Sequence, residues 1–384
     1  MIGVCIKYFH ENYGGMLQAY ATIKLLEERG IDYELIQYKK KISFAFIVKA
    51  MPRLLNNVLL NDKYETLKKK IGFKRNPGIA VNDVIRTNVF HEFSKKHFKK
   101  LSEVYCGYDA LCTGAGKYCA VLTGSDQLWS PAGLPTNFYN LQFVRDGIPK
   151  ISYASSFGVN QIPWYQKKRT MAFLKRLDFI SMRENRGSEI VRELTGRTVP
   201  TILDPVLMFD EEGWAKLIPV NKELEEAYIF AYFLGGNTSH RQAVSELAAK
   251  YGLKIVTLRH LDQYIEEDEL FGDFAPYDVS PERFLNLLRG AEYVCTDSFH
   301  GACFSIIHHK QFAVFNRYND KSINSKNSRI DTLCKNLGLM DRRFTDGLCE
   351  LINKPIDYTA VDRNLKKLIQ TADEYLKESF ASIV

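Results

Sequence analysis

Short apolar runs alternate with amphipathic stretches along nearly the whole chain, and this alternation restricts the fold to parallel sheets whose strands are joined by crossover helices. Met1 to Tyr8 is apolar, His10 to Gly15 supplies turn residues, and Met16 to Arg29 is amphipathic up to Gly30. With Asp32 to Tyr38 as the next strand this completes a βαβ unit, because parallel neighbours need the intervening helix as a crossover. Strand patterns return at Ala120 to Thr123, Lys150 to Ala154, Phe179 to Arg183 and Thr201 to Leu203, with a helical pattern at Arg186 to Leu194. The second half repeats the logic. Strands are predicted at Ala227 to Phe233, Lys254 to Leu258, Tyr293 to Thr296 and Gln311 to Phe315, and helices at Ser239 to Tyr251, Pro281 to Arg289, Gly301 to His308 and Ile330 to Leu337. The predicted class is α/β, with two doubly wound (Rossmann-like) domains facing a cleft.

The predicted domains are 1–205, ending at Asp204-Pro205 where a proline turns the preceding residue out of helix, and 206–345. Residues 42–105 are helical in pattern and basic, with Lys68-Lys69-Lys70, Lys95-Lys96 and Lys99-Lys100, and read as a helical insertion. The segment 346–384, with an amphipathic run from Val361 to Ser382, is expected to form a C-terminal helix packing back on the first domain.

A length of 384 residues exceeds what one compact core usually organises, which also favours two domains and a cleft. A net charge of +7 suits an anionic small molecule or a lipid surface, and no nucleic-acid motif accompanies it. The eight cysteines form no CxxC pair and no zinc-type spacing, so they read as reduced, mostly buried thiols and no metal site is expected. Met1 leads directly into the first apolar run without a charged segment and cleavage site, and the expected location is the cytoplasm. Ile42 to Leu60 is interrupted by Lys49, Pro52 and Arg53, which excludes a membrane span but not a surface contact.

In open parallel sheets ligands bind beyond the carboxyl ends of strands, where helix N-termini offer free N–H groups. Asn12-Tyr13-Gly14-Gly15 lies there: the paired glycines let backbone approach an anion, or simply make a tight turn. Gly124-Ser125-Asp126-Gln127-Leu128-Trp129 follows a strand. Asp126 can orient or deprotonate a sugar hydroxyl and Trp129 can stack on a sugar face, while Ser125 or Asp126 can equally cap a helix. Arg183 in Ser181-Met182-Arg183-Glu184 presents a fork that matches phosphate or carboxylate, with a surface Arg183–Glu184 charge cluster as the alternative. Thr296-Asp297-Ser298-Phe299-His300-Gly301 puts a titratable histidine beside Asp297 and Ser298 at a helix start, placed to donate a proton or hold phosphate. A Ser-His-Asp hydrolase is a weaker reading, since no GxSxG elbow is present. Lys321 to Arg329, including Lys326, is a basic loop that either closes over an anion or is merely solvated.

Together with Leu17-Gln18-Ala19-Tyr20, Ser152-Tyr153-Ala154, Leu203-Asp204-Pro205 and Asn327-Ser328-Arg329-Ile330, these motifs resemble the polysaccharide pyruvyl transferase family over roughly residues 10 to 338. The resemblance implies a fold similar to B-type glycosyltransferases, phosphoenolpyruvate as donor substrate with no further cofactor, and a pyruvate ketal bridging two hydroxyls of a sugar. It implies donor contacts at Arg183, His300 and Arg329. On this reading His300, Asp297 and Asp126 are the catalytic candidates. Arg183, Arg329, Ser298, Asn12, Gly14, Gly15, Ser125, Gln127, Trp129 and Lys326 are the substrate-binding ones. The expected partners are phosphoenolpyruvate and a sugar or lipid-linked oligosaccharide of a cell-surface polymer, with peripheral contact at the inner face of the membrane and no nucleic acid. Two alternatives remain open at this point: a nucleotide-sugar glycosyltransferase of the same architecture, and a non-catalytic sugar-phosphate-binding protein.

Overall fold

The computed structural model describes residues 1–41, 64, 67, 77–131, 137–259, 265–317 and 327–381. Two parallel sheets with helices on their faces make an α/β fold. The first sheet has the order β3-β2-β1-β4-β5-β6, built from β1 (Ile2–Cys5), β2 (Tyr33–Lys39), β3 (Leu101–Cys106), β4 (Val121–Thr123), β5 (Lys150–Ser155) and β6 (Phe179–Met182). The second has the order β10-β9-β7-β8, from β7 (Tyr228–Tyr232), β8 (Lys254–Thr257), β9 (Tyr293–Thr296) and β10 (Gln311–Val314). Every strand pair in both sheets is parallel. Strand order reverses between β1 and β4 in the first sheet and between β7 and β9 in the second, so a crevice opens beyond the carboxyl ends at each of those points.

The helices that position the site are α1 (Tyr13–Glu28), α2 (Pro77–His97), α3 (Asn185–Thr195), α4 (Thr238–Tyr251), α5 (Pro281–Gly290), α6 (Phe299–Ile307), α7 (Ser328–Leu337) and α8 (Tyr358–Phe380). Helix α1 begins at Tyr13 because Asn12 caps it, its side chain accepting from the Gly15 N–H at 2.8 Å. It is buried on nearly every side, since it lies between the two sheets. Tyr13 stacks on Phe284 of α5 at 4.8 Å, and the Tyr20 hydroxyl donates to the Leu217 carbonyl at 3.3 Å. One hydrophobic cluster therefore runs from Val4 and Leu17 through Phe284 and Phe304 without a break between the halves. Helix α8 returns to the first sheet, where the Tyr375 hydroxyl donates to the Ser152 carbonyl at 2.6 Å and Asp373 pairs with Arg29.

Several elements differ from the sequence expectation. Helix α1 starts three residues early, so Gly14 and Gly15 lie in its first turn and not in a loop before it. Leu101–Cys106, expected within the helical insertion, is a strand of the first sheet at its edge. Only Ser102 and Tyr105 are buried there, and the alternation that marks a strand is blurred by exposed Leu101 and Val104. Residues 42–63 of the insertion lie outside the described residues, while α2 is helical as expected. Thr201 contributes a single bridge to Met182 in place of a strand. All eight cysteines are free, but only Cys5, Cys295, Cys303 and Cys334 are buried; Cys106 and Cys119 are exposed. Among the described residues no helix is long and apolar enough to cross a membrane.

Candidate functional site

The site forms where the switch point of the first sheet meets α6 and α7 of the second half. Beyond β4, Gly124 leads to Ser125 and Asp126. Asp126 takes a positive φ of 75°, a strained state for a residue with a side chain, and its carbonyl accepts from Leu128 and Ser156 N–H groups at 2.8 and 3.0 Å. This turn aims the Asp126 carboxylate at the end of β6, where Arg183 donates to it from Nη2 at 3.3 Å. Arg183 also donates from Nη1 to Asp204 at 2.6 Å, and Ser125 donates to the same Asp204 oxygen at 2.7 Å. His300 Nε2 stands 3.6 Å from that oxygen, at ion-pair distance without a hydrogen bond. Side-chain exposure here is 1% for Arg183 and 0% for Asp204, so the Arg183–Glu184 pair is not a surface charge cluster.

Burial alone would raise the pKa of Asp204. The His300 ring, the Arg183 guanidinium and the Ser125 hydroxyl outweigh it and hold the carboxyl well below the usual range. Asp126 behaves alike: burial raises it, but Arg183, Lys7, His300 and Arg329 together depress it strongly. Glu184 goes the other way, because burial exceeds the opposing pull of Arg183, Arg329 and the Ser156 hydroxyl.

Arg329, in the first turn of α7, is 9% exposed, its Nε is buried without a hydrogen-bond partner, and it makes no ion pair among the described residues. Burial, with Arg183 close by, pushes it down to about 10, so it stays a cation at neutral pH. Both guanidinium groups lie over one ring, Arg183 at 4.6 Å and Arg329 at 5.7 Å from the centre of Phe299. A pocket lined by Arg183, Asp204, Phe299, Arg329, Thr332 and Leu333 opens beside them. Arg183 is bridged by two aspartates, while Arg329 lines the pocket without an ion pair among the described residues, and its guanidinium is the donor there that an oxyanion can take up.

Helix α6 starts at this pocket, with Ser298 as its cap accepting from the Gly301 N–H at 3.3 Å. His300, one turn-step further, lies against α1. A side chain at Gly14 would overlap the His300 ring, so Gly14 is needed for the approach of two helices and not for an anion against the backbone. Gly14→Ala should therefore displace the ring. The expected outcome is at least a tenfold loss of turnover with helix α1 intact, checked by the far-UV circular dichroism spectrum alongside the rate.

The structure brings together Arg183, Arg329, His300, Asp126 and Ser125, and separates others from them. Trp129 is not at a sugar-binding surface: it is fully buried, packs on Phe157 and Phe173, and donates from Nε1 to the Tyr139 carbonyl at 3.0 Å. The Asp297 carboxylate is engaged within the second half, accepting from the Leu234 and Gly235 N–H groups at 2.7 and 2.9 Å and from Arg317 at 3.3 Å. Asn12 and Ser298 spend their side chains on helix caps, and Gly15 supplies the capped N–H. Gln127 packs where a side chain at Gly158 would stand. Lys326 and the rest of 318–326 lie outside the described residues. Asp204, which accepts from Arg183 and Ser125 and stands near His300, was placed by the sequence at a domain boundary and in the family-like Leu203-Asp204-Pro205 motif, without a role in the site. Its signal was the Asp-Pro pair directly after an apolar run. Among the described residues no group of three or more His, Cys, Asp or Glu is placed to hold a metal.

Solved structures share the architecture. A protein from Listeria monocytogenes described as a UDP-N-acetylglucosamine 2-epimerase is 11% identical, with a TM-score of 0.50 over 100% of this chain and 96% of its own. The UDP-N-acetylglucosamine 2-epimerase of Rickettsia bellii gives 10% identity and 0.48 over 100% and 98%. The ADP-heptose heptosyltransferase II of E. coli gives 8% and 0.33 over 97% and 99%. At 11% identity the likeness to the Listeria protein is one of fold alone. No curated protein matches the chain. The sequence pattern of the polysaccharide pyruvyl transferases matches residues 12–319, which contain the switch-point turn, Arg183, Asp204 and His300, and the chain belongs to that family.

Proposed function

We propose that this chain transfers the pyruvyl carbons of phosphoenolpyruvate to two hydroxyls of one sugar, releasing phosphate and leaving a cyclic ketal. The observation that carries the reading is the buried Arg329 guanidinium, without an ion pair among the described residues, beside Arg183, which Asp204 and Asp126 hold in place. Phosphoenolpyruvate carries its phosphate and its carboxylate on one carbon, and a pocket lined by two buried guanidinium groups favours such a ligand. In the reaction a proton goes to the methylene carbon and a first hydroxyl oxygen adds to the central carbon as its own proton leaves to a base. A second hydroxyl then displaces inorganic phosphate and gives up its proton. His300, held near Asp204, is the proton carrier of the site, and Asp126, ionised and partly exposed, is the acceptor of a hydroxyl proton. Arg183 and Arg329 hold the phosphate and carboxylate and stabilise charge that builds up on the leaving phosphate.

Calorimetric titration tests this directly. Phosphoenolpyruvate should bind saturably at one site per chain and uridine diphosphate should not; binding of the nucleotide alone would replace this reading by a nucleotide-sugar transferase.

A lipid-linked acceptor fits the face carrying α2, where Val81 and Val84 are 60% and 59% exposed one helical turn apart and Lys95 and Lys96 sit in the last turn. Co-sedimentation with vesicles should increase with their anionic lipid content, and a response indifferent to lipid charge would remove this part of the proposal.

A further inference from the structure

A second group of cations lies next to the donor pocket and is used by nothing described above. Arg86 of α2 is 4% exposed and donates from Nη1 to the Arg259 carbonyl at 2.5 Å, while its Nε and Nη2 have no partner. Those two nitrogens form the edge of the guanidinium that grips two oxygens of one oxyanion side by side. Arg259, just beyond β8, donates to the Tyr277 hydroxyl at 2.9 Å and to the Glu269 carbonyl at 3.0 Å, and its Nε is also unpartnered. Among the described residues neither arginine has a carboxylate partner. The acidic groups nearby are engaged elsewhere, Asp278 with Arg283 at 2.9 Å and Glu11 with the Thr87 hydroxyl at 2.9 Å.

Aromatic rings wall the group. Arg86 lies 5.7 Å from the centre of Tyr13 and 5.8 Å from that of Tyr277, and Arg259 lies 5.8 Å from Tyr277. The Tyr13 hydroxyl is buried and unpartnered as well. A buried cation with two idle donors is costly unless an anion completes it, and the half-exposed Arg259 and Tyr277 leave that side open to solvent. The position is informative. Tyr13 precedes Gly14, the residue on which the His300 ring rests, so this group and the donor pocket flank consecutive residues of α1.

We propose that Arg86 and Arg259, with Tyr13 and Tyr277, form an anion subsite that takes a phosphate or carboxylate carried by the acceptor sugar and so sets the acceptor's orientation toward His300. As an acceptor subsite it rests on the pyruvyl-transfer reading; as an anion site it does not.

The test is calorimetric titration of the full chain with inorganic phosphate and, separately, with glucuronate, in the presence of saturating phosphoenolpyruvate. One of the two ions is expected to bind alongside the donor, and Arg86→Met and the more exposed Arg259→Met should each weaken it about tenfold or more, the loss of a charge-assisted contact. Both variants should keep their phosphoenolpyruvate affinity within about twofold, because the donor pocket is built from other residues. Phosphate binding assigns a phosphorylated acceptor and glucuronate binding a uronic acid. Failure of both ions to bind, or equal binding in wild type and both variants, overturns the subsite. Should phosphoenolpyruvate itself not bind, the same titrations are run without it. Phosphate or glucuronate binding lost in Arg86→Met but kept in Arg329→Met then upholds the subsite while the proposed function falls.

Discussion

Arg329→Met is expected to weaken phosphoenolpyruvate binding about a hundredfold or more while leaving the melting temperature unchanged or higher. The two halves of this result have one cause. The Arg329 guanidinium is buried, unpaired and crowded by Arg183, so the empty protein carries it at a cost, and a methionine of similar length removes that cost along with the anion contact. A functional loss coupled to a structural gain is the signature of a group kept for a ligand. Calorimetry and a thermal melt on the same preparation read both. Destabilisation with unchanged affinity would mean that Arg329 serves packing and that the donor lies elsewhere.

Arg183→Met should behave in the opposite way, losing donor affinity and about 3–5 kcal/mol of stability, because it strands Asp126 without its main cation and takes the closest one from Asp204. The pH dependence separates this from simple loss of packing. Both aspartates have folded-state pKa values depressed below the unfolded value of about 3.9, so their contribution is fully present above that pH and is lost as pH falls through the lower folded values. In Arg183→Met burial acts with less opposition. The folded values rise toward the unfolded one, so the variant has less stability to lose to acid, and its deficit against the wild type narrows as pH falls below the unfolded value. Denaturant melts between pH 3 and pH 7, taken as approximate limits, follow the shift; identical acid profiles would show that Arg183 does not govern the two carboxyls.

Strands buried on both faces were legible in the sequence, since β1, β4, β7 and β9 are apolar runs that a helix pattern cannot explain. The edge strand β3 was not, because an exposed edge is free to hold polar residues and Leu101–Cys106 sits after a long basic stretch that reads as helix. In the site, Arg183, His300 and Arg329 could be found because each follows a strand end or opens a helix, where chemistry concentrates. What sequence order could not convey was division of labour among neighbours. Trp129 is two positions from Gln127 and three from Asp126, yet the turn sends it into the core, and its indole serves the packing of the first half. The role of Asp204 was hidden for the converse reason: it has no chemical neighbour in the sequence, and its partners arrive from positions 125, 183 and 300.

Asp297 shows how far an internal group can decide what a fold will accept. Backbone amides after the first strand of a doubly wound sheet are a natural berth for a diphosphate. Here Leu234 and Gly235 already give theirs to the Asp297 carboxylate, tethered from the next strand and steadied by Arg317. The second half of the molecule thus carries its own resident anion on these two amides, held at high effective concentration by the fold, and a free anion would have to displace it there.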